Sequence, residues 1–177
     1  MTPEPPRPTI RGQIRIDLMR AADADAVLRI YGEGIATGIA TFDTIVPPWP
    51  EWDAAHRPDC RFVARIAGEV VGWTALVPYS ARSVYAGVAW ESVYVTAAAR
   101  GQGIGAALLA RLLPASERAG IWTLMAGIQI ENAASLRLHE RTGFRRIGVQ
   151  QRVGRDGEGR WRDVMLLERR STAVGRE

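Results

Sequence analysis

The sequence contains no lysine and only one cysteine, and each scarcity excludes a class of protein. Cys60 alone cannot form an intrachain disulfide, and with only His56 and His139 besides it, a metal cluster is not expected. No apolar run reaches the roughly 20 residues that span a bilayer, and the N-terminus carries prolines where a signal peptide has its apolar segment. We therefore expect a cytoplasmic protein that binds neither metal nor membrane.

A pI near 10.0 is compatible with a nucleic-acid partner, but the distribution of the charged residues argues against one. All 23 basic residues are arginine and the net charge is +4, but the arginines are scattered rather than grouped in a stripe. A chain of 177 residues with 47% hydrophobic content suits one domain. We place that domain at residues 13–170, between a Pro-rich tail at 1–12 and a polar tail at 171–177.

Strand and helix patterns alternate in the order β-α-(α)-β-β-β-α-β-α-β-β, without an internal repeat. This order predicts an α/β fold in which helices flank a mixed sheet. The predicted strands are 13–19, 61–66, 70–77, 90–95, 121–128, 145–153 and 161–169, and the predicted helices are 22–35, 49–56, 104–119 and 133–142.

A glycine-rich loop joins the strand at 90–95 to the helix at 104–119. Its backbone N–H groups and the positive end of the helix favour binding of a phosphate, although an ordinary strand-to-helix turn has the same pattern. A dinucleotide fingerprint needs an acidic residue about 20 positions later, and the next strand, IWTLMAGI, has none. A P-loop is excluded because it requires a lysine.

The pattern Arg100-x-x-Gly103-x-Gly105 resembles the pyrophosphate-binding signature of the GNAT superfamily of N-acetyltransferases. More narrowly, residues 13–170 resemble the phosphinothricin and methionine-sulfoximine N-acetyltransferases. The motifs that carry this resemblance are Ala40-Thr41-Phe42-Asp43, Arg82-x-x-Tyr85, Ser92-Val93-Tyr94-Val95, Asn132-x-x-Ser135-x-x-Leu138-His139-Glu140-x-x-Gly143-Phe144 and Gly159-x-Trp161-x-Asp163-Val164.

The resemblance implies the GNAT fold, with a central mixed, mostly antiparallel, splayed sheet. It also implies transfer of an acetyl group from acetyl-CoA to the primary amine of a small, amino-acid-like compound, by direct attack in a ternary complex. Similar enzymes are commonly homodimers. Two alternatives stay open: acetylation of a protein N-terminus or another amine, and a nucleotide-binding module without transferase activity.

The resemblance also implies which residues hold acetyl-CoA. The pantetheine would pair with the strand backbone at Val93, Tyr94 and Val95, as a neighbouring strand does. Asn132 corresponds to a cofactor-binding residue of the family, but Asn is equally suited to cap a helix. The remaining candidates are Ser135 and the loop residues Arg100, Gly101, Gln102, Gly103, Ile104, Gly105 and Ala106.

Glu91 is the candidate general base. In the enzymes that the chain resembles, a glutamate stands three residues before the Val-Tyr-Val run, where this chain has Trp90. A shift of one residue turns a strand side chain to the opposite face, so we expect Glu91 to reach the cleft only if a bulge compensates. Otherwise the base is another group or a water chain, and Glu91 has a structural or surface role.

His139 stands where many members of the superfamily carry a tyrosine that protonates the departing thiolate. A histidine can exchange a proton near neutral pH, and the alternative is a packing hydrogen bond on the helix face. By the same resemblance the substrate residues are Phe42, Arg82 and Tyr85. Arginine binds a carboxylate or phosphinate with two hydrogen bonds, whereas core packing for Phe42 and loop surface for Arg82 are the alternatives.

Overall fold

The computed structural model describes residues 12–176, and the predicted tail at 1–12 therefore falls almost wholly outside the described residues. Within them the elements follow the predicted order. The strands are β1 Arg15–Leu18, β2 Phe62–Ile66, β3 Glu69–Pro78, β4 Val88–Val95, β5 Thr123–Gln129, β6 Arg145–Arg155 and β7 Trp161–Arg170. The helices are α1 Ala24–Ile35, α2 Trp49–Ala55, α3 Ile104–Arg118 and α4 Ala133–Arg141.

The strands form one 7-stranded sheet in the order β1-β2-β3-β4-β5-β7-β6. Every neighbouring pair is antiparallel except β4 and β5, which run parallel. The parallel register covers only Val88–Trp90 against Thr123–Met125, so the two strands part after this point. The predicted mixed, mostly antiparallel and splayed sheet is confirmed.

Helices cover both faces of the sheet. The α1 and α2 face buries a cluster that includes Ile30, Trp52 and Trp73, each less than 3% exposed. The opposite face packs against α3 and α4 through a larger cluster that includes Leu108 and Leu136. Removal of these apolar side chains from water stabilises the three layers and holds the central strands in place.

A glycine in β3 brings α3 close to the sheet. A Cβ atom at Gly72 would lie 2.8 Å from the main-chain oxygen of Tyr94 and 3.2 Å from Ile104 and Leu108. Only glycine therefore lets the first turns of α3 rest on β3 and β4 at this distance. This contact fixes the start of α3, and with it the glycine loop, relative to β4.

The lone cysteine lies in the interior. Cys60 is buried, and burial raises the pKa of its thiol to about 11. Among residues 12–176 no helix is long and apolar enough to cross a membrane. Within the same residues no three His, Cys, Asp or Glu side chains are grouped in a way that could hold a metal ion.

Candidate active site

A cleft opens where β4 and β5 part, between those strands, the start of α4 and the segment that follows α1. Its volume is about 80 Å³. Six of its lining residues are among the predicted catalytic and cofactor-binding residues, namely Glu91, Val93, Tyr94, Asn132, Ser135 and His139. The tertiary fold therefore brings the candidate acid, the candidate base and much of the expected cofactor strand to one place.

Glu91 and His139 form a buried pair in this cleft. The side chains are each 2% exposed, and Nε2 of His139 contacts Oε1 of Glu91. The other ring nitrogen, Nδ1, lies 2.7 Å from the main-chain oxygen of Ser135, which can only accept a hydrogen bond. Nδ1 must therefore carry a proton, and Nε2 is the nitrogen that exchanges one.

The surroundings of His139 favour its charged form. Burial alone would lower the pKa of the imidazole, but the charge of Glu91, its hydrogen bond and the Ser135 carbonyl outweigh burial and raise the pKa above its ordinary value. The second carboxylate oxygen, Oε2 of Glu91, is buried without a hydrogen-bond partner. A buried oxygen of this kind is a ready acceptor for a proton from a bound ligand.

Glu91 reaches the cleft without the bulge that the sequence argument required. The register of β3 against β4 runs without a shift from Gly72 opposite Val95 to Pro78 opposite Ala89. Glu91 shares the face on which α4 packs, so its side chain meets His139 directly. Trp90 points to the other face and stacks on Tyr79, with ring centroids 5.6 Å apart. The two faces thus carry different side chains at the point where the sheet splays.

The glycine loop follows β4 and a 3₁₀ turn, Ala97–Ala99, and opens α3. Gly101 and Gly103 have φ angles of +78° and +82°, and no atom lies within 4 Å of a Cβ built at either position. The first hydrogen bond of α3 runs from Ala107 N to Gly103 O at 3.0 Å, so the preceding N–H groups of the helix have no intrahelical acceptor. Such a helix start can bind an anion.

Side chains of the loop have structural contacts of their own. Ile104 is buried in the core at 1% exposure, Nε of Arg100 donates to Val95 O at 3.1 Å, and Nε2 of Gln102 donates to Ala98 O at 3.2 Å. A Cβ at Gly105 would lie 2.8 Å from Leu138, so this glycine lets α3 approach α4. The loop thus presents backbone N–H groups, which its side chains and packing hold in place.

Asn132 caps α4, one of the two roles that the sequence left open. Its Oδ1 accepts a hydrogen bond from Ser135 N at 3.1 Å, and its Nδ2 donates to Ile39 O at 3.4 Å. Asn132 also lines the cleft. It therefore positions the N-terminus of α4, from which Ser135 and His139 project.

Residues 39–43, which include the Ala40–Asp43 motif, form a strap along the cleft, and the sequence did not indicate how this strap is anchored. The hydroxyl of Tyr94 in β4 donates to Ala40 O at 3.3 Å, and Nε2 of Gln129, at the end of β5, donates to Thr41 O at 3.2 Å. The strap is thus tied to both strands that part. Main-chain carbonyl acceptors leave no signal in a sequence, so Gln129 could not be recognised from its residue type.

Comparison with known proteins identifies the family. The model of the acetyltransferase (GNAT) family matches residues 34–144, which is more than half of the chain and includes the glycine loop and the Glu91–His139 pair. The chain belongs to the GNAT acetyltransferase family.

Two curated relatives of this GNAT acetyltransferase are named for small-molecule substrates. It is 36% identical to phosphinothricin N-acetyltransferase of Streptomyces coelicolor over 156 residues, 83% of this chain and 90% of that one. It is 30% identical to the L-methionine sulfoximine/L-methionine sulfone acetyltransferase of Pseudomonas aeruginosa over 83% of this chain and 88% of the relative. The crystal structure of a Sinorhizobium meliloti phosphinothricin acetyltransferase in complex with AcCoA superposes with a TM-score of 0.81 at 27% identity, covering 92% of each chain.

The three predicted substrate residues of this GNAT acetyltransferase lie outside the lining of the cleft. Arg82 and Tyr85 are exposed on the loop between β3 and β4, and Cζ of Arg82 lies 5.6 Å from the Tyr85 ring centre. Phe42 belongs to the strap and packs against β6, where a Cβ at Gly154 would lie 2.8 Å from its ring. Arg82 and Tyr85 are thus brought together, whereas Phe42 lies against another element.

Proposed function

We propose that this acetyltransferase moves the acetyl group of acetyl-CoA to the primary amine of a small amino-acid-like compound of the phosphinothricin or methionine sulfoximine type. The observation that carries the proposal is the buried Glu91–His139 pair, which opens on a cleft beside the stretch of β4 that has no pairing with β5. The names of the relatives support the substrate class.

The residues present fit acetyl-CoA. Gly101 and Gly103 leave open space in front of the N-terminus of α3. The pyrophosphate would lie in this space, accept hydrogen bonds from the backbone N–H groups of residues 101–106 and attract the charge of Arg100. The backbone of Val93–Val95 has no partner from β5 and can pair with the pantetheine. Asn132 and Ser135 border the same cleft. When bound, acetyl-CoA supplies an acetyl thioester as the reactive group.

Glu91 and His139 would handle the protons of the reaction. The carboxylate of Glu91 takes a proton from the substrate ammonium through its free Oε2, which leaves an uncharged, nucleophilic amine. The raised pKa of His139 favours a proton on Nε2, which Oε1 of Glu91 accepts in the resting pair. His139 would give this proton to the departing thiolate and then take the second proton that the amine nitrogen loses as the amide forms. No protein nucleophile is required, and Cys60 is unsuited to that role because its buried thiol stays protonated.

We propose that Phe42, Arg82 and Tyr85 bind the amine substrate. The guanidinium of Arg82 stays charged at all physiological pH values and can form a bidentate pair with a carboxylate or phosphinate. The rings of Phe42 and Tyr85 offer apolar surface to the rest of the molecule. On this proposal the bound substrate extends from the cleft towards these three residues, which do not line it.

Release of free thiol from acetyl-CoA in the presence of an amine panel tests this function. We expect turnover with phosphinothricin, methionine sulfoximine or a related acidic amino acid, and initial-rate lines that intersect because both substrates bind before reaction. Turnover only with peptides that carry a free N-terminus would favour the protein-acetylating alternative. Binding of CoA with no turnover on any amine would favour the non-catalytic module.

We also propose that two copies associate and that the protein acts in the cytoplasm. Association follows from the resemblance to enzymes that are commonly homodimers, and the unpaired thiol of Cys60 suits a reducing compartment. Sedimentation of the purified protein measures the first property, and a mass near 19.4 kDa would contradict it. Cell fractionation measures the second.

A further inference from the structure

We propose that Glu33, at the end of α1, is a positioning residue for the cofactor loop. Its carboxylate holds the turn between β4 and the glycine loop, so the loop is already in place before acetyl-CoA binds. The inference rests on the proposed function, because it assumes that residues 101–106 bind the pyrophosphate. It adds a residue from a helix on the opposite side of the sheet from α3.

The contacts of Glu33 converge on the turn that follows β4. Oε2 accepts hydrogen bonds from Ala97 N at 2.7 Å and from the hydroxyl of Thr96 at 2.8 Å. Oε1 accepts from the same hydroxyl at 3.0 Å and from Nη1 of Arg29 at 2.5 Å. Thr96 caps the 3₁₀ turn Ala97–Ala99, and Arg100 follows directly after that turn. Both carboxylate oxygens are therefore engaged at the base of the loop.

The position of Glu33 is itself fixed by tight packing. A Cβ at Gly34 would lie 2.6 Å from the Tyr94 ring, so α1 lies directly against β4 at this point. Arg29, one turn earlier, also donates to Val70 O at 3.4 Å and thereby ties the same helix face to β3. A carboxylate on so firmly held a helix can restrain the turn that it binds.

Electrostatics alone would make Glu33 unfavourable for the cofactor. Burial raises the pKa of Glu33, but the Ala97 N–H, the Thr96 hydroxyl and the charges of Arg29 and Arg100 outweigh burial and lower it, so the carboxyl is ionised at neutral pH. A negative charge beside Arg100 weakens the attraction of that arginine for a pyrophosphate. Removal of the charge should therefore tighten binding if Glu33 acts only through its field, and weaken binding if it positions the loop.

Binding of CoA by isothermal titration distinguishes these two outcomes in Glu33→Gln. A Gln side chain keeps the shape of Glu33 but offers a single acceptor oxygen to the Thr96 hydroxyl and the Ala97 N–H. Its NH2 group is itself a donor and cannot accept the remaining hydrogen bonds. We expect the Kd of CoA and the KM of acetyl-CoA to rise by about tenfold, while kcat at saturation changes less than twofold. Glu69→Gln, on the exposed β2–β3 hairpin, makes the same change in net charge and should bind CoA as the wild type does.

Thr96→Val provides a second arm that keeps the carboxylate. It removes the hydroxyl and should weaken CoA binding in the same direction, and the double variant should lose less than the product of the two separate losses. Unchanged or tighter CoA binding in folded Glu33→Gln would overturn the inference. A wild-type protein that fails to bind CoA would instead contradict the proposed function, so the two failures are distinguishable.

Discussion

At the scale of single residues, the central feature is the buried pair of Glu91 and His139. Glu91 and His139 are 48 residues apart in the chain and meet in an interior where each would be costly alone. Charge on His139 balances charge on Glu91, and the Ser135 carbonyl holds the imidazole in one orientation. Glu91 therefore stabilises the protonated state of His139.

Substitution of Glu91 by Gln should remove the base and the charge that supports His139. We expect kcat to fall about 100-fold or more, the rise of rate with pH to disappear, and the Kd of CoA to change little. Steady-state kinetics between pH 6 and 9 measures these effects. Glu140→Gln, at an exposed position of α4 next to His139, is the control, and near-normal turnover in Glu91→Gln with an unaltered pH profile would assign Glu91 to structure.

The raised pKa of His139 predicts how stability depends on pH. Because the folded state holds the proton more tightly than the unfolded state, the contribution of the pair is complete below the unfolded pKa. It is lost as pH rises through the folded pKa. The melting temperature should therefore fall on the alkaline side of the ordinary histidine range, and His139→Asn should flatten this fall. An equal slope in both proteins would show that the pair adds no stability.

At the scale of elements, the start of α3 has to meet two structural requirements. The loop needs positive φ angles at Gly101 and Gly103, and the helix needs to lie close to β3. On the proposed function the first requirement concerns ligand binding, whereas the second concerns packing of the core. Substitutions at the two kinds of glycine should therefore fail in different ways.

Gly103→Val places a branched side chain in front of the helix N-terminus. We expect the affinity for acetyl-CoA to fall sharply while the protein stays folded, because the side chain occupies the space that phosphate oxygens need. Gly120→Val is a matched control, since Gly120 has a φ of +78° and open surroundings at the other end of α3. Equal CoA affinity in both folded variants, measured by titration calorimetry, would refute the loop assignment.

Gly72→Ala should instead destabilise the fold. Its Cβ would overlap the main-chain oxygen of Tyr94, which cannot move without shifting β4, and we expect a loss of roughly 1–3 kcal/mol in the free energy of unfolding. A Cβ at Gly148 in β6 would have no atom within 4 Å, so Gly148→Ala should leave the free energy of unfolding nearly unchanged. Urea denaturation of the two variants measures the difference, and similar midpoints would contradict this account of the α3 contact.

At the scale of the whole molecule, two arginines stand at opposite ends of β4. Arg82 lies on the loop before the strand, and Arg100 lies just after the turn that follows it. We infer that they divide two anionic groups between them. Arg100 serves the pyrophosphate, and Arg82 serves the acidic group of the amine substrate.

Arg82→Ala tests this division. We expect the KM for a carboxylate or phosphinate amine to rise about 10- to 150-fold, which corresponds to roughly 1.5–3 kcal/mol of charge-assisted hydrogen bonding. The KM for acetyl-CoA should be nearly unchanged, and a neutral amine should lose little. Equal losses on an acidic and a neutral amine would mean that Arg82 holds its loop together instead of selecting charge.

Local patterns predicted the elements well where glycines and side-chain periodicity act within a few residues. The helix expected at 104–119 is observed at Ile104–Arg118, because Gly103 and Gly120 adopt positive φ angles at its two ends. β4 begins at Val88, two residues before the expected start, because Val88 and Ala89 pair with β5 across the sheet. Such pairing depends on a distant strand, so the sequence of β4 carries little sign of it.

The sequence by itself determined the order of strands and helices, the glycine loop and the residue types of the cleft, since these depend on periodicity and on backbone freedom at particular positions. Only the tertiary structure decided which face of β4 meets α4, and therefore that Glu91 contacts His139 without a bulge. It also placed Glu33 beside the loop and Gln129 beneath the strap. These contacts join distant segments and several use main-chain atoms, which every residue possesses, so no local pattern distinguishes them.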